Sequence, residues 1–389
     1  MKEINIGLFG FGVVGEGIYT LLNESKQVKA SVKHICIKDA SKARNAPSEL
    51  FSPDADQILN DSEIDLVVEL ISDADAAYDI ITKALSSGKS VVSANKKIIA
   101  EKLPELTALA KANNASFLYE AAVCASIPIL RNLEEYFDND WLKGLKGIVN
   151  GSTNFIFTQI KNAGLDYDAA LKLAQENGFA EEDSRLDVEG YDAAFKLTIL
   201  TKHAFGLDIN PYDLFRVGIT KVSAFDAQYA KEKNLVIKLV AYANSNDNNE
   251  IELAVCPTFI PLHDKLANID NEYNAVIVNS AFNTEQFFSG KGAGRFPTAS
   301  AVLSDISAFS YQYRYEYKKS KQSIYKLSNE NEVSKWYLRS SEGTNFDEIT
   351  LEKQEHYSTN NNSYAIVNAS ILEIKELQKK YPLISIIKF

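Results

Sequence analysis

Cysteine is scarce in this chain. Cys36, Cys124 and Cys256 are the three among 389 residues. Odd in number, far apart and set in apolar surroundings, they exclude a disulfide framework and a C-x-x-C metal site and read as buried thiols. Histidine is nearly as rare, and His34, His203, His263 and His356 show no ligand spacing, so no transition-metal site is assigned. Basic charge is in deficit, with 41 Lys and Arg against 52 Asp and Glu and a formal net charge of -11. A nucleic-acid surface needs the opposite balance, because it must neutralise phosphates. No apolar run reaches the roughly 20 residues needed to cross a membrane. The opening MKEINIGLFG enters a strand directly, without the charged segment, apolar core and cleavage site of a secretory leader. There is no internal repeat. The expectation is a cytoplasmic protein with neither nucleic acid nor membrane as partner.

What the chain does have is a globular composition, 46% hydrophobic and 24% charged, and length enough for two or three domains. INIGLF (4–9) reads as a short apolar strand. It runs into Gly10, Gly12 and Gly15, spaced G-x-G-x-x-G, and then into the helical pattern GEGIYTLLNES. A lone G-x-G-x-x-G is weak, but strand before and helix after is the context the motif requires. In that setting Gly10 makes the tight turn, Gly12 lets a pyrophosphate approach the backbone, and Gly15 packs helix against strand. A glycine-rich turn without ligand is the lesser alternative.

The next strand, VKHICIKD, ends on Lys38 and Asp39, where a dinucleotide fold reads the ribose. Asp39 favours NAD, whereas Lys38, with Lys42 and Arg44 behind it, offers cations to a 2′-phosphate. The balance leans to NADP; a solvated charged loop would look the same. DLVVELI (65–71), a helix through ALSSG, SVVSANK, the helix EKLPELTALAKANN and a strand ASFLYEAAV follow in alternation. This order implies a parallel sheet covered on both faces, a Rossmann-type domain complete near residue 130. Lys96 stands just beyond a strand's carboxyl end, where such sheets bind ligands.

Further along, LKGIVN leads to Gly151, Ser152, Thr153 and Asn154 and an apolar helix NFIFTQI; the hydroxyls read as helix caps, and free amides there suit a carboxylate or carboxamide. The stretch GFAEEDSRLDVEGYDAAFKLTIL (178–200) joins an acidic cluster to a helix apolar on almost every side. Asp192 and Lys196 interrupt that helix four residues apart, so they share a face. A charged pair inside a packed helix costs desolvation, which suggests a site in preference to a surface salt bridge. Beside Glu181, Glu182, Asp183 and Asp187, a lysine so placed could face an oxyanion while the acids hold an ammonium. LVIKLVAYA, EIELAVCPTFI and EYNAVIVNSA, between 233 and 290, predict a second, antiparallel sheet suited to two-fold pairing. GKGAGRFPTASAVLSDI (290–306) is a second glycine-rich turn before an apolar helix returning to the first domain, with Thr298 as cap or ligand contact. After the tyrosines at 311, 313, 315 and 317, strands near WYLRS, YAIVNAS and ISIIKF, a polar loop STNNNS and a helix LEIKELQKK form a small α+β appendage.

Taken together, GLFGFGVVG, DLVVELI, GKSVVSANK, YEAAV, GIVNGSTNFI, GFAEEDSRLDVEGYDAAFKL and GKGAGRFPTASAV, in that order over residues 4 to about 306, resemble the homoserine dehydrogenases. The resemblance implies reversible, NAD(P)H-dependent reduction of aspartate semialdehyde to homoserine, by direct hydride transfer, in threonine and methionine biosynthesis. It implies a Rossmann domain over 1–131 with 291–318 returning to it, an α+β catalytic and dimerisation domain over 132–290, and an ACT-like segment over 319–389. By motif position, Lys196 and Lys96 are the catalytic lysines, and Glu181, Asp187, Asp192, Gly151 and Ser152 bind substrate. Gly10, Phe11, Gly12, Val13, Val14, Gly15, Lys38, Ser93, Lys96 and Gly292 bind the cofactor, NADP(H) in preference to NAD(H). The resemblance also implies a structural sodium or similar cation on backbone oxygens of Glu120, Val123, Ala125 and Ile127, and a homodimer or higher homo-oligomer. The chain departs from the family in having Cys124, Ala125 and Ser126 where glycines are usual, Ser184 for a proline, and SDADAA (72–77) for a glycine- and proline-bearing loop. Because it begins at the dinucleotide strand, no fused aspartate kinase is expected. SEGTNFDEITLEKQEHYS (341–358) has no proline and no amphipathic helix, so the ACT-like segment is expected to be degenerate, structural and insensitive to threonine. The rival readings are a regulatory protein that has kept the fold and lost catalysis, and a dehydrogenase of another small amino acid.

Overall fold

The structure, a computed structural model, describes residues 3–25, 28–39, 42–139, 141–322, 324–341, 346, 351, 353–358 and 362–389. The chain forms two compact units. One comprises Met1–Asn139, Thr198–Asn210 and Gly290–Gln322; the other comprises Asp140–Leu197, Pro211–Ser289 and Ser323–Phe389.

The first unit is built on six parallel strands, β1 (Ile4–Phe9), β2 (Ala30–Cys36), β3 (Phe51–Ser52), β4 (Leu66–Glu69), β5 (Ser90–Ser93) and β6 (Phe117–Leu118), in spatial order 3-2-1-4-5-6. The sequence order reverses between β1 and β4, which makes their carboxyl ends the crevice of a doubly wound sheet. Strands β4 and β5 are buried on both faces, as their continuous apolar runs require. The helix Arg295–Ser310 packs on the helix Val13–Glu24 at Gly17, where a Cβ would lie only 3.0 Å from the Arg295 carbonyl oxygen.

One expected strand is much shorter. Of ASFLYEAAV only Phe117–Leu118 pairs as a strand, and Glu120–Ala122 is a tight helical turn. The cause is Glu120: its buried carboxylate accepts from the backbone of Leu130 (2.7 Å) and Arg131 (3.1 Å), and its own N–H donates to Asp305 (2.8 Å). Those partners pull the chain out of the sheet.

The second unit has one large sheet. Its strands are β7 (Leu142–Ile148), β8 (Phe215–Arg216), β9 (Leu235–Ser245), β10 (Glu250–Pro261), β11 (Tyr273–Ser280), β12 (Thr284–Lys291), β13 (Lys326–Leu327), β14 (Val333–Ser340), β15 (Lys353–Ser358), β16 (Ser363–Ser370) and β17 (Ser385–Lys388), in order 12-11-7-9-10-17-14-16-15, with β8 and β13 beside β10. Its middle is antiparallel as expected, but β10 pairs in parallel with β8, β13 and β17, so the sheet is mixed. The C-terminal strands continue this sheet. Trp336, Leu338, Ala365, Ile371 and Ile386 share one core with Val240, Ala254 and Ile277, and Arg339 is fixed by a buried ion pair to Asp226 at 2.7 Å. The helix Ile371–Lys380 starts with a capping box, Ser370 and Glu373. Much of SEGTNFDEITLEKQEHYS, and residues 359–361 of STNNNS, lie outside the described residues.

Lys238 on β9 shows how the second unit handles an interior charge. Only 1% exposed, it donates to Asn154 Oδ1 and Asp270 Oδ1, both at 3.0 Å, and to the Ile269 carbonyl. Burial pushes its pKa down from 10.5 to about 8, against the pull of Asp270. The unfolded chain therefore holds this proton more tightly, and folding bears the full cost below pH 8. Stability should rise between pH 8 and 10.5, by up to about 3 kcal/mol from this group. In Lys238→Met, Lys161 still pairs with Asp270. Urea unfolding of both proteins across that range should show the wild-type midpoint climbing relative to the variant; parallel profiles would remove Lys238 as the source.

Candidate active site

In the first unit the glycine-rich turn joins β1 to the helix Val13–Glu24. Gly10 has φ +91°, and a Cβ on it would sit 2.9 Å from the Leu70 carbonyl oxygen, so only glycine fits. Gly12 immediately precedes the helix, and a Cβ there would meet nothing within 4 Å. The first amides of the helix thus open on free space, the arrangement an anionic diphosphate requires. Gly15 is buried, and a Cβ on it would collide with the Gly10 carbonyl. Val13 is exposed and Val14 half-buried, while Phe11 turns back edge-on to Phe51 (5.1 Å) and Tyr19 (5.7 Å). Gly292 lies on the second glycine-rich turn, just before the helix Arg295–Ser310. Gly294 precedes that helix without a side-chain cap. Thr298 is therefore not its cap, because the helix starts three residues earlier and Thr298 N–H already donates to the Gly294 carbonyl (3.1 Å). Arg295 anchors this helix to Glu16 (3.3 Å) and Thr20 (3.2 Å).

Past β2, Lys38 is exposed. Arg44 folds back to donate to the carbonyls of Asp39 (2.6 Å) and Lys42 (2.8 Å) and lies 5.6 Å over the Phe51 ring that also contacts Phe11. Two cations therefore stand beyond the strand that follows the glycine-rich helix. Ser93 ends β5, buried, and Lys96 is the first residue of the helix Lys96–Ala112, whose cap is Asn95.

The second unit carries the acids and the other lysine. Lys196 is buried at 7% exposure in the helix Tyr191–Phe205; it donates to Asp192 Oδ2 and to the Val149 carbonyl, both at 2.7 Å. Asn150 then joins the acids, its amide donating to Asp192 Oδ2 (2.9 Å) and Asp187 Oδ1 (2.6 Å). The same side chain caps the helix Gly151–Ala163, accepting from Thr153 N–H at 2.8 Å. The expected hydroxyl cap is thus an amide two residues before Ser152, and Thr153 Oγ1 itself donates to Asn150 Oδ1 (2.9 Å). Asn154 turns inward to hold the carbonyls of Ile269, Asn271 and Tyr273. Gly151 and Ser152 remain half-buried at the helix start.

The acidic cluster is not one group. Lys196, Asp192, Asn150 and Asp187 form a continuous network, whereas Glu181 and Glu182 are exposed on a turn whose carbonyls are held by Gln175 (3.2 and 3.3 Å). Asp183 is engaged with Arg185 through two contacts, 2.8 and 2.6 Å, and this pairing holds its carboxyl down at about 2. Glu181 makes none of the network's hydrogen bonds.

Glu120, Val123, Ala125 and Ile127, the expected cation oxygens, belong to one tight buried turn. Cys124 and Ala125 take φ +55° and +40°, the left-handed region, at a cost of roughly 1–2 kcal/mol each for a non-glycine residue. The backbone thus keeps the conformation that glycine would adopt freely. Among the described residues no cluster of His, Cys, Asp or Glu could hold a metal, so an ion here would rest on carbonyl oxygens, the donors hard cations prefer.

These elements coincide with known proteins over most of the chain. Residues 10–120 match the family described as homoserine dehydrogenase, NAD binding domain, and residues 128–307 match homoserine dehydrogenase. The homoserine dehydrogenase of Bacillus subtilis (strain 168) is 37% identical over 317 residues, which are 79% of this chain and 73% of that protein. The chain belongs to the homoserine dehydrogenase family. The solved structure of a homoserine dehydrogenase from Thiobacillus denitrificans superposes with a TM-score of 0.87 at 29% identity, covering 100% of this chain and 98% of that one. A hyperthermophilic archaeal homoserine dehydrogenase mutant, solved in complex with NADPH, gives 0.68 at 27% identity over 81% of this chain and 100% of its own. The enzyme is accordingly an NAD(P)-dependent oxidoreductase that interconverts aspartate semialdehyde and homoserine. No helix among the described residues is long and apolar enough to cross a membrane.

The residue that sequence reasoning missed in this homoserine dehydrogenase is Asn150. Its signal was present, an Asn directly before a helix start, but a capping amide gives no hint that it also bridges two acids 37 and 42 positions away. Asn150→Ala should destabilise the protein by about 2 kcal/mol, from the lost cap and the loss of one amide donor to the acids. Asn150→Asp keeps the cap acceptor but adds a third carboxylate, so it should lose more at pH 8 than at pH 5. Thermal denaturation at the two pH values measures this; wild-type stability of Asn150→Asp at pH 8 would show that the bridge is energetically idle.

Proposed function

We propose that Lys196 is the proton donor of the reduction. The observation that carries this is its ammonium, buried between Asp192 and the Val149 carbonyl, two residues before the helix Gly151–Ala163, whose first residues Gly151 and Ser152 are half-buried. The bound dinucleotide supplies the hydride. Lys196 Nζ meets the oxyanion that develops on the former aldehyde oxygen and gives it a proton, while Asp192 fixes the lysine in one direction. Asp187 and Glu181 hold the substrate ammonium. The amides at Gly151 and Ser152 take its carboxylate, a helix N-terminus being suited to an anion. Lys96, at the N-terminus of its own helix in the first unit, assists with cofactor and substrate. No covalent intermediate is needed.

Lys196→Ala should lower kcat about a hundredfold or more, the scale of general-acid catalysis, with cofactor affinity little changed. Glu181→Ala should mainly raise KM for the semialdehyde, because an ammonium contact exists in ground and transition states alike. Steady-state kinetics of NADPH oxidation with aspartate semialdehyde separate these outcomes. Near-normal turnover in Lys196→Ala would remove it from the mechanism.

For the cofactor, the reading is a preference for NADP(H). Its support is Lys38 and Arg44 past β2, and the relative solved with NADPH, set against Asp39. Glycines 10, 12 and 15 hold the diphosphate, and Phe11, Val13, Val14, Ser93 and Gly292 complete the crevice. Lys38→Ala should shift the NADPH/NADH ratio of kcat/KM toward NADH, and an unchanged ratio would defeat the 2′-phosphate role.

Self-association through the second sheet belongs to the same reading. Strand β12 is at one edge of that sheet with Phe287 exposed, and Trp141 and Phe282, 66% and 71% exposed, face each other at 6.3 Å. Sedimentation velocity at micromolar concentration should give a dimer or larger species; a monomer would end this proposal.

A further inference from the structure

Glu69 is a carboxyl group with no access to solvent at the end of β4. It is paired in register with Phe9 on β1 and Ser93 on β5. Its position is therefore the middle of the crevice edge, one residue short of where the chain leaves the sheet. A side chain of this kind is costly to bury, and nothing in the core requires it. What it does is visible in its bonds. Oε1 accepts from Ile71 N–H at 2.7 Å, and Oε2 accepts from the Ser93 hydroxyl at 2.6 Å. Ser93 Oγ in turn accepts from Asn95 N–H at 3.1 Å, and the Asn95 amide donates back to the Ile71 carbonyl at 3.2 Å. The ring closes. Asn95 Oδ1 also caps the helix that begins at Lys96, accepting from Ile98 N–H at 3.3 Å. Gly10 leans on the same place, since its missing Cβ would touch the Leu70 carbonyl and the Ile71 side chain.

We infer that Glu69 is a positioning residue for the dinucleotide, which by locking Ile71, Ser93 and Asn95 into one ring sets the two loops after β4 and β5. This rests on the reading above, in which the ends of β1, β4 and β5 hold the cofactor. Glu69 and Ser93 are both fully buried, so the ring reaches the crevice only through the backbone of the two loops it sets, and its loss should weaken dinucleotide binding more than it slows proton transfer. Ionised Glu69 can only accept, which draws the Ser93 hydrogen onto Oε2 and leaves Ser93 Oγ to accept from Asn95 N–H. In the neutral acid the roles can reverse, with Glu69 donating to Ser93 Oγ. Burial, opposed by the bonds from Ser93 and Ile71, pushes this carboxyl up to about 7, so both forms are within reach near neutrality.

The test compares Glu69→Ala and Glu69→Gln with wild type in steady-state kinetics, with dinucleotide affinity also measured directly by quenching of protein fluorescence on adding NADPH. Glu69→Ala opens the ring and should raise KM and Kd for NADPH about tenfold, the factor expected when buried partners lose one acceptor. Its kcat and its KM for the semialdehyde should stay within about threefold of wild type, which is small on this scale. Glu69→Gln keeps an acceptor for Ile71 and a polar partner for Ser93 and should restore NADPH affinity to within about threefold, a conservative rescue that a purely structural defect would not show. Unchanged NADPH affinity in folded Glu69→Ala, or equal losses in kcat and both KM values, would overturn the positioning role while leaving the cofactor crevice intact. If wild type itself failed to bind NADPH, both readings would fall. Should Glu69→Ala not fold, Glu69→Gln and Ser93→Ala decide: NADPH affinity held by Glu69→Gln but lost about tenfold in Ser93→Ala supports the ring, and wild-type affinity in Ser93→Ala overturns it.

Discussion

An ammonium group withdrawn from water has to find oxygen acceptors within the protein, and it must find them at fixed distance and direction. Lys196 meets this demand with one carboxylate from its own helix and one carbonyl from the residue just after β7. Much of the second unit's local geometry answers to that pair. The turn after β7 must bring Val149 to the helix Tyr191–Phe205, and Asn150 then has to satisfy Asp192's remaining demand while it starts a helix of its own. Removing one partner would leave an uncompensated charge in a packed interior, which is far more damaging than never having had the pair. The same logic recurs wherever this protein buries charge. Lys238 is enclosed by Asn154, Asp270 and a loop carbonyl, Arg339 by Asp226 and the Lys221 carbonyl, and Glu120 by two backbone amides. Lys196, Lys238 and Arg339 each also hold a loop carbonyl, so a single side chain fixes a segment that has no regular structure to hold it.

The parallel sheet and its glycine-rich turn were legible because strand, glycine spacing and helix are all local signals. Asp192 and Lys196 were legible for a related reason, as charges four apart in an otherwise apolar helix. The errors have a common source. The strand expected over ASFLYEAAV gives way to a turn because Glu120 is answered from residues 130, 131 and 305, and no window of sequence contains those partners. Thr298 was read as a cap or a ligand contact, and the cap alternative fails because the helix starts earlier, at Arg295, where contact with Gly17, Glu16 and Thr20 fixes it. The acids of 181–187 read as one cluster on spacing alone. In the fold a short turn sends Asp187 inward and leaves Glu181 to Asp183 on the surface. The parallel pairing at β10 was likewise invisible, since period-two alternation reports which face is buried and carries nothing about strand direction.

Glycine plays two separate parts around the crevice. At Gly10 the requirement is backbone conformation, while at Gly17 it is the close passage of another helix. Only the first is announced by the dinucleotide motif. Cys124 and Ala125 are the converse case, positions in the conformation glycine favours that carry side chains instead. The surrounding burial over-determines that turn, so the strain is held without a change of backbone.

The placement of β17 bears on how the molecule is made. This strand, residues 385–388, lies between β10 and β14, and it is through Thr258 opposite Lys388 that the two halves of the large sheet are joined. A ribosome delivers β10 more than a hundred residues before the strand that must sit beside it. During that interval the nascent sheet presents an unpaired edge, with backbone donors and acceptors open to any other extended chain. Contacts so distant in sequence also close slowly, because the intervening loop must first give up its freedom. The parallel pairing of β10 with β8 and β13, both made earlier than β17, occupies part of that edge in the meantime. Read this way, those two-residue strands are guards on an interval of synthesis as much as parts of the finished fold.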